Sequence, residues 1–103
     1  MLLVYITTKN KAQAAEIGKK LVQERIVACV NIVDGMQSIY WWEGKICEDN
    51  EAILIAKTSD SLFNNLLARV KELHSYTVPC IVAIPIKKGN PDYINWLQNE
   101  IQS

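Results

Sequence analysis

The stretch of residues 28–58, ACVNIVDGMQSIYWWEGKICEDNEAILIAKT, makes up nearly a third of the chain and predicts how it folds. It contains two long runs rich in Ile, Val, Tyr and Trp, separated by Glu43-Gly44-Lys45. A glycine flanked by polar residues between two such runs is typical of a β-hairpin. We therefore predict a ribbon whose arms run from Ala28 to Trp42 and from Ile46 to Thr58. Asp34-Gly35 interrupts the first arm and predicts a β-bulge or a corner there.

The ribbon is long for a chain of this size. Each arm, at about 3.3 Å per residue, would extend roughly 40 Å, whereas a domain of about 100 residues has a radius of gyration near 13 Å. The ribbon should therefore bend or overhang, which would leave Tyr40, Trp41 and Trp42 poorly covered at its tip. We predict that these residues anchor an interface with a partner chain, because aromatic side chains are enriched at such contacts. Stacking on a planar ligand is the alternative role.

The composition indicates one domain and limits its partners. A chain of 103 residues has room for a single domain, which we place over residues 1–103. Its 11 basic residues are balanced by 11 acidic ones, so neither nucleic acid nor an anionic membrane is an expected partner. Hydrophobic residues make up 50% of the chain, which suits a small protein that buries further surface by self-association.

The first residues and the cysteines favour a cytoplasmic protein. The apolar run from Met1 to Ile6 has no preceding positive charge and is too short for a signal peptide or a membrane span. Cys29, Cys47 and Cys80 are odd in number and contain no CxxC pair, which argues against both a disulfide framework and a structural zinc site.

The segments before the ribbon predict a strand and a helix. Leu2 to Thr7 is a continuous apolar run, typical of a central strand that is covered on both faces. Asn10, with Gln13 three residues later, predicts a capped helix that continues to about Glu24. The apolar face of this helix consists of Ala14, Ile17, Leu21 and Val22.

The segments after the ribbon predict a helix, a strand and a terminal helix. Ser59 or Asp60 can cap the second helix, which continues to His74. Cys80 to Ile86 is the last strand, and Pro85 within it predicts an edge position or a bulge, because proline cannot donate to a strand ladder. Asn90-Pro91 begins the third helix. The predicted inward residues are Leu62, Phe63, Leu66, Val70 and Leu73 on the second helix, and Ile94, Leu97 and Ile101 on the third.

This order of elements predicts an α+β fold, a ferredoxin-like βαββαβ sandwich with an extended β-hairpin and a C-terminal helix. Right-handed crossovers would place both main helices on one face of a four-stranded sheet. The other face and the ribbon tip would then have no helix of their own. Burial between identical subunits is the expected solution.

A set of motifs along nearly the whole chain resembles a known family. The motifs are Ala28-Cys-Val-Asn-Ile32, Tyr40-Trp-Trp-Glu-Gly44, Glu51, Lys57-Thr58, His74, Tyr76, Pro79, Tyr93 and Trp96. Together they resemble the CutA family of divalent-cation tolerance proteins. The resemblance implies a homotrimer of ferredoxin-like subunits, a role in copper tolerance, and weak binding of copper or another divalent cation.

The chain departs from the family pattern in one place. Where the family usually has His-Pro-Tyr-Glu, one residue and then Pro-Glu-Ile, this chain has Ser75, Thr77 and Cys80 at three of those positions. Two carboxylates beside the histidine are therefore absent, and Cys80 offers a thiol in place of one of them.

The resemblance points to Cys29 and His74 as metal ligands, and a thiolate with an imidazole is a suitable donor pair for copper or zinc. Each residue also has an ordinary structural role. A cysteine in an apolar strand is commonly a small buried hydrophobic residue, and a histidine at a helix end can bind the last carbonyls. One cysteine and one histidine leave a metal under-coordinated, so Cys80, Glu51 or a neighbouring subunit would have to complete the site.

A second group of residues could line a cleft at a subunit boundary, namely Lys57, Tyr76, Tyr93 and Trp96. Such a cleft supports an alternative function, that of a trimeric small-molecule sensor or interaction scaffold resembling PII signalling proteins. The sequence identifies no organic cofactor. It also predicts no enzyme, because it contains no Gly-rich phosphate loop, and the loop after the first strand lacks the arginine of acylphosphatases.

Overall fold

A computed structural model describes residues 1–101, and the predicted domain end at residue 103 lies outside that range. Strands and helices follow one another along the described residues in the predicted order. Their bounds are β1 Leu2–Thr8, α1 Lys11–Gln23, β2 Cys29–Trp42, β3 Lys45–Thr58, α2 Phe63–Leu73, β4 Ile81–Pro85 and α3 Pro91–Glu100. The short 3₁₀ turn Asp60–Leu62 comes immediately before α2.

The strands form one antiparallel sheet in the order β2-β3-β1-β4. β1 and β3 occupy its centre, and β2 and β4 are its edges. This arrangement confirms the predicted α+β ferredoxin-like subunit. Pro85 ends the edge strand β4 and pairs with Leu2, so the missing N–H of the proline interrupts no internal part of the ladder.

The hairpin that joins β2 and β3 turns over two residues, not the predicted three. Lys45 pairs with Trp42 and so belongs to the second arm. Glu43 has a φ of 48° and Gly44 a φ of 76°. Positive φ at both positions fits a type I′ turn, whose twist matches that of the flanking strands.

The bulge in the first arm lies where the sequence predicts it. The pairing of β2 with β3 shifts register between Val33 and Met36, and Gly35 within this gap has a φ of 74°. The arms are long enough to stretch the molecule, which measures 45 × 26 × 21 Å along its principal axes. The ribbon therefore extends well beyond the compact part of the fold, as expected from its length.

The core lies between one face of the sheet and the helices α1 and α2. Alternate residues of a strand point to opposite faces, and the buried set of each strand faces these two helices. The core includes Val4 and Ile6 of β1, Leu54 and Ala56 of β3, Ile17 and Leu21 of α1, and Leu66 and Val70 of α2. Both main helices thus pack on the same face, as the predicted crossovers require.

The helix boundaries differ from the sequence expectation in detail. The Asn10 side chain accepts a hydrogen bond from the Gln13 amide at 2.8 Å, which confirms the cap, but Gln13 Oε1 accepts from the Lys9 amide at 2.9 Å and not from Asn10. Val22, predicted to be in the buried stripe, is exposed. The hydroxyl of Ser59 pairs with Ser61, so neither Ser59 nor Asp60 supplies a side-chain cap to α2.

The second face of the sheet is only partly covered within the subunit. The prediction that β1 is covered on both faces is therefore wrong for the isolated chain, since Leu3 and Tyr5 remain half-buried. Val82 and Ile84 of β4 are 50% and 56% exposed on this face. α3 covers one end of it through Tyr93, and Leu97 of α3 is buried while Ile94 and Ile101 are half-buried. Among residues 1–101, no helix has the length and apolar character needed to cross a membrane.

Candidate functional site

Four polar side chains meet on the second face, near the start of β2 and the end of β3, and we call them the Cys29 cluster. Its members are Cys29, Asn31, Lys57 and Tyr93. Cys29 and Lys57 are directly paired residues of β2 and β3, so their side chains point to the same face. Asn31 lies two residues along β2 and shares that face. Tyr93 reaches the group from the first turn of α3, where Asn90 caps the helix by accepting from the Asp92 amide at 3.1 Å.

Lys57 is the centre of this cluster. Its Nζ lies 3.1 Å from Asn31 Oδ1, 3.1 Å from Tyr93 Oη and 3.7 Å from Cys29 Sγ. The three N–H groups of the ammonium therefore each have an acceptor. The hydrogen bond to Tyr93 raises the pKa of Lys57, and the charge of the Cys29 sulfur adds to the rise, while partial burial opposes it. Lys57 stays protonated through the neutral range.

The aromatic residues of α3 form the outer wall of the cluster. Tyr93 and Trp96 lie three residues apart on one helix face and stack at 5.8 Å between ring centroids, with planes 26° apart. Lys57 Nζ lies 5.5 Å from the centre of the Tyr93 ring, within the range of a cation–π contact. Both rings are also partly exposed to solvent. An exposed aromatic surface therefore adjoins the Lys57 ammonium.

A second group of side chains, the His74 cluster, lies at the other end of β1 and consists of His74, Tyr76 and Glu51. The Tyr76 amide donates to His74 Nδ1 at 3.1 Å, so this nitrogen carries no proton. His74 Nε2 must then carry the proton and donate to the Thr7 carbonyl at 2.7 Å. Both ring nitrogens are used within the fold, and the residue is only 8% exposed.

Two phenol–carboxylate pairs line this part of β3. The Tyr76 hydroxyl donates to Glu51 Oε2 at 2.6 Å, and the Tyr40 hydroxyl donates to Asp49. Asp49 and Glu51 are alternate residues of β3 and share one face. Burial and the Glu51 hydrogen bond raise the pKa of Tyr76. The Asp49 hydrogen bond raises the pKa of Tyr40 to about 12.

The structure does not bring the predicted metal ligands together within one subunit. Cys29 pairs with Lys57, which in turn pairs with Leu3 of β1. His74, in contrast, hydrogen bonds to the Thr7 carbonyl, and the Thr7 amide donates to the Cys80 carbonyl at 3.3 Å. Leu3 and Thr7 are separated by about 13 Å along β1. No group of three or more His, Cys, Asp and Glu side chains in the described part of the chain is placed to hold a metal ion.

The predicted cleft residues also divide between the two clusters. Lys57, Tyr93 and Trp96 belong with Cys29, whereas Tyr76 belongs with His74. Sequence reasoning missed Asn31 and Asp49. The period-2 alternation of a strand could have found them, because each lies two residues from a predicted site residue, Cys29 or Glu51.

A metal cation fits the Cys29 cluster poorly. Lys57 carries a positive charge 3.7 Å from the sulfur that would bind the ion, and two like charges so close together repel each other. The His74 imidazole has no free nitrogen in its present hydrogen bonds. Cys80 and Glu51 remain as predicted donors. Cys80 is exposed just before β4, whereas Glu51 of β3 is 8% exposed and accepts from the Tyr76 hydroxyl.

The predicted interface residues lie at the tip of the ribbon. Trp41 is 72% exposed and Trp42 49% exposed, and Tyr40 is partly exposed despite its bond to Asp49. Ile39 and Ile46 are also exposed and share a face of the ribbon with Trp41, whereas Tyr40 and Trp42 lie on the other face. Exposed large apolar side chains on both faces of a ribbon are a feature of contact sites.

Comparisons with known proteins agree with this architecture. The family model described as "CutA1 divalent ion tolerance protein" matches residues 2–100. The chain is 51% identical over 96 residues to the divalent-cation tolerance protein CutA of Thermus thermophilus, covering 93% of each chain. It is 46% identical over 98 residues to the chloroplastic protein CutA 1 of rice. This match covers 95% of the present chain but 55% of the rice protein. It thus spans about half the length of the rice protein and nearly all of the bacterial one.

The solved structures show the same subunit. The crystallised divalent cation tolerance protein from Thermus thermophilus superposes with a TM-score of 0.96 at 48% sequence identity, covering 99% of this chain and all of that one. The structure from rice superposes with a TM-score of 0.96 at 44% identity, covering 98% of this chain and 93% of that one.

Proposed function

Because the chain belongs to the CutA1 family of divalent ion tolerance proteins, we propose that it contributes to metal tolerance as a homotrimer that binds copper or another divalent ion. The observation that carries the proposal is the family match over nearly the whole chain. The proposed role is binding, without catalytic turnover. Three unpaired cysteines support a reducing location, for which we propose the cytoplasm.

Two exposed surfaces support self-association. The second face of the sheet presents Val82 and Ile84 to solvent, and the ribbon tip presents Trp41 and Trp42. Burial of apolar surface contributes roughly 25 cal/mol for each Å² removed from water, so covering both regions would favour assembly strongly. Closed symmetry allows identical subunits to cover both surfaces at once.

The metal donors that remain available point to a site between subunits. Cys80 is exposed just before β4, and Glu51 lies on the second face of β3, across β1. The two cannot complete a site within one chain, so the proposal places Cys80 and Glu51 at a boundary where a neighbouring subunit adds donors. A thiolate favours soft ions such as copper(I). Cys29 is not assigned as a ligand of this site, because the positive charge of the Lys57 ammonium beside its sulfur would repel a metal cation.

The test is a copper(I) titration of the reduced protein against a competing chelator of known affinity. We expect saturable binding that is weakened at least tenfold by Cys80→Ser and left unchanged by the matched control Cys29→Ser. Equal weakening by both changes would return the ligand role to Cys29. Wild-type protein that cannot compete with the chelator would make any metal role indirect.

One observation favours the alternative function of a small-molecule sensor or interaction scaffold. The exposed Tyr93–Trp96 stack beside Lys57 is a suitable surface for a planar ligand. Native mass spectrometry of the purified assembly tests it, because a retained organic molecule lost on Trp96→Ala would support this function. A wild-type assembly whose measured mass equals that of the protein alone would argue against this function.

A further inference from the structure

We propose that Cys29, Lys57 and Tyr93 form a peroxide-reactive thiol site, at which a hydroperoxide oxidises Cys29 to a sulfenic acid. This is a covalent modification site on the thiol. It goes beyond the proposed metal function and does not depend on it, because the residues assigned to metal binding lie elsewhere on the sheet.

The first argument is the charge balance around Lys57. Among the described residues, no carboxylate oxygen lies within ion-pair distance of its ammonium. The ionisable groups that contact it are the Cys29 thiol and the Tyr93 phenol. The Cys29 sulfur is therefore in direct contact with a partly buried ammonium. Such a cationic neighbour is what activates a cysteine, since the thiolate is the nucleophile.

The second argument is that the fold fixes this contact. Cys29 and Lys57 are directly opposite each other in the ladder, and the Ala28 amide closes that end of it with a hydrogen bond to the Lys57 carbonyl at 3.0 Å. Asn31 Oδ1 and Tyr93 Oη each accept a hydrogen bond from the ammonium at 3.1 Å. The lysine therefore remains beside the thiol. Cys29 is half-buried within the subunit, so a small reagent can reach this residue.

The third argument is the presence of proton donors for the leaving group. The thiolate sulfur attacks one oxygen of the hydroperoxide, forming an S–O bond as the O–O bond breaks. The sulfur loses two electrons and the peroxide gains them. The departing hydroxide or alkoxide takes a proton from the Lys57 ammonium, 3.7 Å from the sulfur, and the lysine regains a proton from solvent. The products are the Cys29 sulfenic acid and water or an alcohol.

The fate of the product follows from the positions of the other cysteines. Cys80 lies at the level of Thr7, about 13 Å along β1 from the Cys29 level. Cys47 pairs with Tyr40 near the ribbon tip, farther away still. A disulfide needs Cα atoms within about 7 Å, so neither cysteine of the same subunit can resolve the sulfenic acid. It should persist until a small thiol reduces it.

The experiment compares the three cysteines of the wild-type chain. Reduced, chelator-treated protein is exposed to limiting hydrogen peroxide with dimedone, which traps sulfenic acids, and the modified cysteine is located by peptide mass mapping. We expect Cys29 to be labelled first, although Cys80 is the more exposed thiol within the subunit. Labelling of Cys80 at an equal or higher rate would overturn the proposal.

Variants then test the role of the lysine. Lys57→Met should slow dimedone labelling of Cys29 about tenfold, because the cationic neighbour of the thiol is lost; this corresponds to about 1.4 kcal/mol in activation free energy. Lys57→Arg should restore most of the rate, and Lys88→Met, which changes a lysine outside the cluster, should leave it unaltered. An unchanged rate in Lys57→Met would overturn the proposal. If that variant misfolds, the ranking of Cys29 against Cys80 in the wild-type chain still decides the proposal.

The metal-free conditions keep the two proposals separable. Failure of the labelling experiment would leave the copper titration of the Cys80 and Glu51 boundary unaffected. Failure of that titration would equally leave the reactivity of Cys29 standing.

Discussion

The hydrogen bonds of His74 hold three parts of the chain together. The residue follows the last turn of α2, and its ring bonds to the Thr7 carbonyl of β1 and to the Tyr76 amide of the following loop. Tyr76 in turn reaches Glu51 of β3. The imidazole therefore positions a loop residue that contacts a third element, and its buried bonds would have to break before it could bind a metal.

The two phenol–carboxylate pairs predict an unusual alkaline titration. Tyr76 and Tyr40 hold their protons through hydrogen bonds to carboxylates, so the pKa of each is raised in the folded state. Both should ionise well above the ordinary phenol value of about 10. Absorbance titration of the phenolates measures this directly. Tyr76→Phe and Tyr40→Phe should each remove one late-titrating phenol.

The same shifts give the pH dependence of stability. A pKa that is raised on folding means that the native state holds the proton more tightly, so the Tyr76 contribution is fully present below pH 10 or so and is lost as pH rises further. Chemical unfolding of Tyr76→Phe should therefore show a shallower loss of stability above that pH than the wild type. Parallel curves for the two proteins would contradict the assignment.

At the level of elements, the β2–β3 hairpin depends on the conformation of its two turn residues. Gly44 has a φ of 76° and Glu43 a φ of 48°, in the region that costs other L-residues about 1–2 kcal/mol but that asparagine tolerates. Gly44→Ala should lower the unfolding free energy by about 1 kcal/mol, and Glu43→Asn should raise it by a smaller amount. Thermal unfolding at one protein concentration measures both.

Comparing Gly44→Ala with Glu43→Asn separates the effect of turn conformation on stability from the effect of losing a side chain. No atom outside the chain neighbours lies within 4 Å of a Cβ built on Gly44, so steric overlap cannot explain a lower stability in Gly44→Ala. Opposite effects of the two substitutions would follow from the turn geometry alone. Destabilisation by both would mean that the Glu43 side chain itself supports the hairpin.

For the molecule as a whole, the sequence predicted the features that neighbouring residues encode. The hairpin at Gly44, the bulge at Gly35 and the cap at Asn10 each depend on a few consecutive residues, and all three are present. The separation of Cys29 from His74 was not predictable in this way, because it depends on the registers of β1 with β3 and β4. Those registers join residues more than about 40 positions apart in the sequence.

The Cys29 cluster lies between these extremes. Cys29 and Lys57 are paired through the hairpin, and their pairing could have been counted outward from the turn if the bulge at Gly35 had been allowed for. Tyr93 could not, because α3 returns to this end of the sheet across the whole fold. Three members of the cluster, Cys29, Asn31 and Lys57, are therefore brought together by the hairpin, and only Tyr93 depends on the tertiary fold.

The overhanging ribbon gives the last prediction, which concerns assembly. Trp41 is 72% exposed in the subunit, so replacing it should disturb a subunit contact without removing core packing. Trp41→Asp should lower the mass measured by sedimentation or light scattering from that of the wild-type oligomer, because a partner would have to bury a charge without a counter-ion. Val22→Asp is the matched control, since Val22 is an exposed apolar residue on α1, away from both proposed contact surfaces. If the mass is unchanged in Trp41→Asp, the subunit contact lies on the second face of the sheet and not at the ribbon tip. A monomeric wild-type protein would rule out the homotrimer.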